Sequence, residues 1–250
     1  MFDVKGRWAL ITGASRGVGY QTAMFMAKQG CNLILHSRKL EHTRKAAEEA
    51  RSLGVEVYCV EAELANNDEV TAMLNEIEAK EIQVDILFNN AAVQIAYRKN
   101  YWETPVEDFE KSFQINFISV ATICNRLIPK MIERGYGRVI NTTSGIKNEP
   151  EQAGYAASKA ALDKFTKDLA SRLEGTNVML SLTDPGWCRT DLGGQHAPNA
   201  VESVIPGIAV GAFVDDRKSG RFLHAQSFAG LSLEEAVARA ESMEATPYII

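Results

Sequence analysis

Short apolar runs alternate along the chain with longer stretches in which apolar residues recur every three or four positions. Residues 8–11 read as a strand, followed by a glycine-rich turn and a helix to about residue 28. A second strand is expected over 32–36, a helix rich in Ala and Glu over about 40–53, and a third strand over 55–60. A helix follows Asn67, and 85–89 is a fourth strand. Pro105 is placed to open the next helix, because its missing N–H costs nothing at a first helical position. A longer apolar helix follows over about 118–133, then a fifth strand at 138–141, a helix over about 154–173 and a sixth strand at 178–182. After Thr183 the pattern weakens. Residues 191–220 are rich in Gly, Pro and His and are expected to form a substrate lid, with a last strand at 220–224 and a last helix at 233–243.

Strands and helices that alternate in this way predict an α/β fold, a doubly wound parallel sheet covered on both faces. A closed (β/α)₈ barrel is the competing topology. The glycine turn after the first strand favours the open sheet, a single Rossmann-type domain over residues 1–250.

Composition narrows the function classes. The chain has 250 residues, 46% of them apolar and 24% charged, enough to bury one sizeable core and too apolar for disorder. A net charge of −5 argues against nucleic acid as a partner. No 18 apolar residues run together, so no membrane span is expected, and the first residues do not read as a signal peptide. Cys31, Cys59, Cys124 and Cys188 are scattered, which suits reduced thiols and a cytoplasmic protein. The histidines at 36, 42, 196 and 224 show no ligand spacing, so no metal is expected.

The turn Thr12-Gly13-Ala14-Ser15-Arg16-Gly17-Val18-Gly19 joins the first strand to a helix. Glycine there permits positive φ and close approach of a pyrophosphate, which the free N–H groups of a helix N-terminus attract. Gly13, Ser15, Arg16, Gly17, Val18 and Gly19 are therefore candidate cofactor contacts; the alternative is an ordinary turn. An acid about 20 residues on would select NAD, whereas an Arg suits the 2′-phosphate of NADP. Here the second strand ends His36-Ser37-Arg38. With Arg16 as a second cation, this predicts a preference for NADP(H) with NAD(H) as the alternative, unless Arg38 is only a solvated surface charge.

These motifs recur in a known order. Thr12-Gly13-x-x-x-Gly17-x-Gly19, Asn89-Asn90-Ala91, Asn116, Ser144, Tyr155-x-x-x-Lys159 and Pro185-Gly186-x-x-x-Thr190 together resemble the short-chain dehydrogenase/reductase family over nearly the whole chain. The resemblance implies nicotinamide-dependent oxidoreduction on a small carbonyl or alcohol substrate, and a homo-oligomer, dimer or tetramer. A dimer through the helices between residues 109 and 133 is expected, against a reading of those helices as core.

Tyr155 and Lys159, four apart, share a helix face. A nearby ammonium and the cofactor's positive ring would favour the phenolate and lower a phenol pKa that is ordinarily about 10. Tyr155 then exchanges a proton with an alcohol oxygen; an isolated pair of this kind is more often a plain surface pair. By resemblance, Lys159 also holds the nicotinamide ribose, Ser144 hydrogen-bonds the substrate oxygen and Asn116 anchors a proton-relay water. The same resemblance implies cofactor contacts at Ser37, Glu63, Leu64, Asn90, Ala91, Tyr155, Pro185, Gly186 and Thr190, with Asn89 beside the adenosine ribose unless it only ties strand ends together.

The chain departs from the family at Ala92, at Glu63 in place of Asp, in the short loop between Ser144 and Tyr155, and in an ending, Pro247-Tyr248-Ile249-Ile250, without the Gly-Gly strand of many tetrameric members. The short loop leaves Thr142 and Thr143 as alternatives to Ser144. Gln94, Trp187, Gln195 and His196 are candidate substrate walls. The Pro185 to Gly194 segment is similar to that of carbonyl reductases; Trp187, unless it packs inside the domain, would set an apolar ring against a bulky ketone such as a hydroxysteroid, with a small aldehyde or a 3-oxoacyl thioester as equal alternatives. A non-catalytic dinucleotide-binding regulator on the same fold is the reading from a different class.

Overall fold

The computed structural model describes residues 1–244 of the chain; the C-terminal Pro247 to Ile250 lies outside the described residues. Seven strands form one sheet: β1 (Trp8–Ile11), β2 (Asn32–Ser37), β3 (Val57–Glu61), β4 (Val84–Asn89), β5 (Gly137–Thr142), β6 (Val178–Asp184) and β7 (Phe222–His224). Their order is β3-β2-β1-β4-β5-β6-β7, and every pairing is parallel. The chain therefore reverses its direction of travel across the sheet after β3, which opens a crevice beyond the carboxyl ends of β1 and β4.

The strands are apolar almost throughout because both sheet faces are covered. Ala9, Ile11, Leu33 and Leu35 point into one core, shared with α1 (Gly17–Lys28), α2 (Leu40–Ser52) and α7 (Leu233–Ser242). Leu10, Ile34 and Leu87 point into the other, under α3 (Asn67–Ala79), α5 (Ser119–Arg134) and α6 (Ala153–Ala170). Each such buried aliphatic chain contributes roughly 1.5–3 kcal/mol. Local signals set the ends: the Asn66 side chain accepts from the N–H groups of Asp68 and Glu69 to start α3, and Gly135, left-handed at φ 73°, ends α5. Pro105 sits one residue earlier than expected, as the cap of α4 (Val106–Phe113) rather than its first residue. A π-helical turn over Gln114–Ile118 joins α4 to α5.

The lid expected over 191–220 needs correction in its middle. Val204, Ile208, Val210, Phe213 and Val214 are buried in the core beneath α1 and α7. A Cβ on Gly211 would lie 3.2 Å from the Ile140 side chain, so this apolar segment packs directly against the sheet. It is too apolar to be left over a solvent-filled mouth. The first part, with Asp191, Leu192, Gln195 and His196 exposed, lies open, as does the stretch with Asp215, Arg217 and Lys218 that leads into β7.

Candidate active site

The crevice floor is built by residues that hold the glycine turn. Gly13 and Gly17 adopt positive φ, 67° and 57°. Gly19 is needed for space: a Cβ there would lie 2.3 Å from the Gly13 carbonyl oxygen and 2.6 Å from Asn90 Nδ2. Thr12 Oγ1 accepts the N–H groups of Asn90 and Ala91, each at 3.0 Å, and Asn90 Nδ2 donates to the Thr12 carbonyl at 3.0 Å. The turn is thus stitched to the end of β4. Ser15 and Val18 lie half-buried along it, and no side chain caps α1, whose first turn carries no acid. The positive end of that helix is left for an anion.

His36 supports the same turn from the end of β2. Its Nδ1 accepts the Gly13 N–H at 3.2 Å, so Nε2 carries the proton and donates to the Ala62 carbonyl at 3.0 Å. Burial pushes the imidazole pKa down and keeps the ring neutral. Ser37 is also buried, donating to the Lys39 carbonyl at 2.6 Å, whereas Arg38 is exposed. Arg16 reaches across to Asp191, in the segment after β6, at 2.5 Å.

Not every residue expected at the cofactor lies in the crevice. Asn89 is 2% exposed and donates to Asn141 Oδ1 at 2.8 Å, so it ties β4 to β5 within the sheet and does not face a ribose. The Leu64 side chain belongs to the core under α3, leaving only its backbone for a ligand. Glu63 turns back on its own loop, accepting the Ala65 N–H at 3.1 Å. The segment after β6 does approach the glycine turn: a Cβ on Gly17 would touch the Thr190 methyl at 3.3 Å. Pro185 and Gly186 are held beneath it, the Pro185 carbonyl by Gln226 Nε2 at 2.8 Å.

Tyr155 and Lys159 lie on α6, 7% and 3% exposed. The Lys159 Nζ donates to the Thr142 carbonyl at 2.7 Å and stands 5.9 Å from the Tyr155 ring centroid. Burial pushes the ammonium down to about 8, while the charges of Asp163 and Asp184 act to raise it. Burial raises the Tyr155 pKa, and the Asp184 charge raises it further, against a lowering by a hydrogen bond with Ser144. The largest cause is desolvation of the phenol.

Ser144, half-buried, accepts the Ile146 N–H at 3.2 Å and acts to lower the phenol's pKa. Thr143 is committed elsewhere, donating through a short hydrogen bond to Asp163, and Thr142 presents its carbonyl to Lys159. Asn116, fully buried in the π turn, accepts the Val93 N–H at 2.8 Å and donates to the Val93 carbonyl at 2.9 Å and to Ser158 Oγ at 3.0 Å. Ser158 donates in turn to the Tyr155 carbonyl at 2.7 Å. The Asn116 side chain therefore holds the segment after β4 against α6, and protein partners take up both ends of its amide.

Of the candidate substrate walls, Trp187 is 60% exposed, with Nε1 donating to the Gly193 carbonyl at 2.6 Å. Gln94 is half-buried and Gln195 and His196 are exposed. Sequence reasoning missed His36, Asp163, Ser158 and Asp184 as site residues. No spacing signals them, because each acts through a partner distant in the chain.

A family model described as short chain dehydrogenase matches residues 7–200. Over 225 residues the chain is 33% identical to nodulation protein G of Rhizobium sp. (strain N33), covering 86% of this chain and 88% of that protein. It is 32% identical over 230 residues to retinol dehydrogenase 13 of Mus musculus, covering 84% of this chain and 66% of that one. The solved structure of a metagenomic short-chain oxidoreductase in complex with NADP matches with a TM-score of 0.68 at 28% identity, covering 74% of this chain and 84% of that one.

Proposed function

Because the chain belongs to the short-chain dehydrogenase/reductase family, an oxidoreductase family, we propose that it transfers a hydride between NADP(H) and a ketone or secondary alcohol, with Tyr155 as the proton-transfer residue. The observation that supports this reading is that Lys159, on the helix that carries Tyr155, is bonded to the end of the strand that leads to Ser144. A binding module has no need of that set.

The residues fit a dinucleotide. Gly13, Gly17 and Gly19 leave a surface with no Cβ, α1 offers an uncapped positive end, and Thr190 closes over the turn. Gly13, Ser15, Gly17, Val18 and Gly19 would hold the pyrophosphate, with Asn90, Ala91, Pro185 and Gly186 lining the path between the cofactor's two ends. When bound, the reduced nicotinamide supplies the hydride. Tyr155 holds the proton that the carbonyl oxygen takes as it becomes an alcohol, and Ser144 orients that oxygen. Lys159, fixed on Thr142, adds positive charge beneath the phenol and a donor for the ribose. Any water relay at Asn116 falls to the backbone of the π turn.

The preference for NADP(H) rests on Arg16 and Arg38 and on the lack of an acid at the end of β2. The exposed Trp187 ring beside Pro185-Gly186 favours an apolar ketone, covered by 191–200. Ile118 and Ile132, exposed on the helices between residues 109 and 133, favour a dimer through that face. No helix among the described residues is long and apolar enough to cross a membrane.

NADPH consumption against a panel of ketones, retinal and a 3-oxoacyl thioester tests the reading. Turnover should be lost in Tyr155→Phe while NADPH binding, followed by fluorescence, is kept. Full activity in that variant, or no turnover of any carbonyl by the wild type, would overturn it, the second result favouring a dinucleotide-binding regulator.

A further inference from the structure

Asp184 ends β6, with its side chain 12% exposed. Its Oδ1 accepts the Gly186 N–H at 2.9 Å. Its Oδ2 lies over Gly145, where a Cβ would come within 2.9 Å, so the absence of a side chain next to Ser144 is what admits the carboxylate. On the other side β7 pairs His224 with Asp184, and His224 Nδ1 stands 3.5 Å from Oδ2. The carboxylate is thus wedged between the Ser144 loop and an exposed histidine.

The charged and titratable groups around it come from three places. Helix α6 presents Tyr155, Lys159 and Asp163, with Lys167 acting on Asp163. Strand β7 presents His224, and the segment after β6 presents Cys188 with Arg189 beside it. The sheet register sets Thr183 beside Thr142, whose carbonyl takes the Lys159 ammonium at 2.7 Å, so Asp184, the next residue of β6, lies one step beyond that bond, and its charge pushes Lys159 and Tyr155 upward. The bond from Gly186 requires only an oxygen, which Asn would supply equally, so the charge itself has a separate consequence.

We propose that Asp184 is a positioning residue of this site, a buried anion whose charge stabilises the protonated Tyr155 phenol and Lys159 ammonium and so holds the resting site ready to give a proton to a carbonyl. Both proton carriers lie in a desolvated pocket, where a fixed carboxylate acts more strongly than in water. The charge favours ammonium over amine and phenol over phenolate, so it works in the same direction on both. In carbonyl reduction this keeps the donor loaded; in alcohol oxidation it opposes formation of the base. His224 sits where added positive charge would offset that field.

The inference rests on Tyr155 and Lys159 being the acid–base pair, and it is tested without turnover. NMR titration of cofactor-free protein carrying ¹³C-labelled Lys and Tyr, assigned with Lys159→Met and Tyr155→Phe, reads each midpoint directly. In Asp184→Asn the Lys159 midpoint should fall by about half a pH unit or more from about 8, and Tyr155 should move the same way. In His224→Lys, a fixed cation at an exposed position, both should fall by less. Unchanged midpoints in folded Asp184→Asn overturn the proposal; if that variant does not fold, unchanged midpoints in His224→Lys do so. Once a substrate is known, the acidic limb of the kcat/KM profile for alcohol oxidation should shift to lower pH in Asp184→Asn, which a purely structural role would not produce. Failure of the catalytic reading appears separately, as activity retained by Tyr155→Phe.

Discussion

Lys159, on α6, donates from Nζ to the backbone carbonyl of Thr142 at the end of β5, at 2.7 Å. This bond ties the helix that carries Tyr155 to the strand that leads to Ser144. It also buries an ammonium, whose pKa is pushed down to about 8. An unfolded lysine titrates near 10.4. Between those values the native state has lost a proton that the unfolded chain still binds, so stability rises with pH across that window. Wild type should gain on the order of 2–3 kcal/mol relative to Lys159→Met between about pH 8 and pH 10.5. Urea unfolding at a series of pH values measures this, and parallel curves for the two proteins would refute it.

The glycine turn predicts a second result. An alanine at Gly19 brings a Cβ within 2.3 Å of a backbone oxygen that cannot swing aside. Gly19→Ala should cost about 1–3 kcal/mol, as overpacking does, and should weaken NADPH binding because Gly13 and Asn90 must move. Thermal unfolding and fluorescence titration give the two numbers; a variant with unchanged Tm and affinity would show that the turn is not packed in this way.

Cofactor choice is predicted from Arg16. Its guanidinium is exposed and paired with Asp191, also exposed. An exposed pair of this kind is worth little, so a phosphate can draw the arginine away. Arg16→Ala should raise the KM for NADPH about tenfold with little effect on NADH, and Asp191→Asn should tighten NADPH binding. Equal losses with both cofactors in Arg16→Ala would place the arginine on the pyrophosphate instead.

Asn116 predicts a combined loss. Replacing it by Ala leaves the half-buried Val93 N–H and carbonyl without their side-chain partners. The cost should be about 2–4 kcal/mol, with a fall in kcat as α6 and Tyr155 lose their reference through Ser158. Calorimetry and steady-state kinetics check both parts, and a stable variant with reduced kcat would mean that Asn116 acts in proton transfer rather than in holding the segment.

Much of the strand order of events could be read along the chain because local physics writes it there. The unbroken apolar runs of β1 and β2 and the helical spacing in α6 need no knowledge of distant residues. The misplaced lid shows the limit. Residues 204–214 carry the same small and apolar residues whether they cover a mouth or fill a core, and only the sheet beneath them decides. Asn89 is similar, since its polarity suits a ribose as well as a partner on β5, and Asn141 settles it.

By itself the sequence determined the α/β fold, the glycine turn and the pairing of Tyr155 with Lys159, because each depends on spacings within one turn or one helix. The tertiary structure alone decided where charges and hydrogen bonds go. It sent His36 to Gly13, Lys159 to Thr142 and the Asp184 carboxylate to Gly145. Burial and Coulomb forces depend on distance in space, and that distance is set only when remote segments pack.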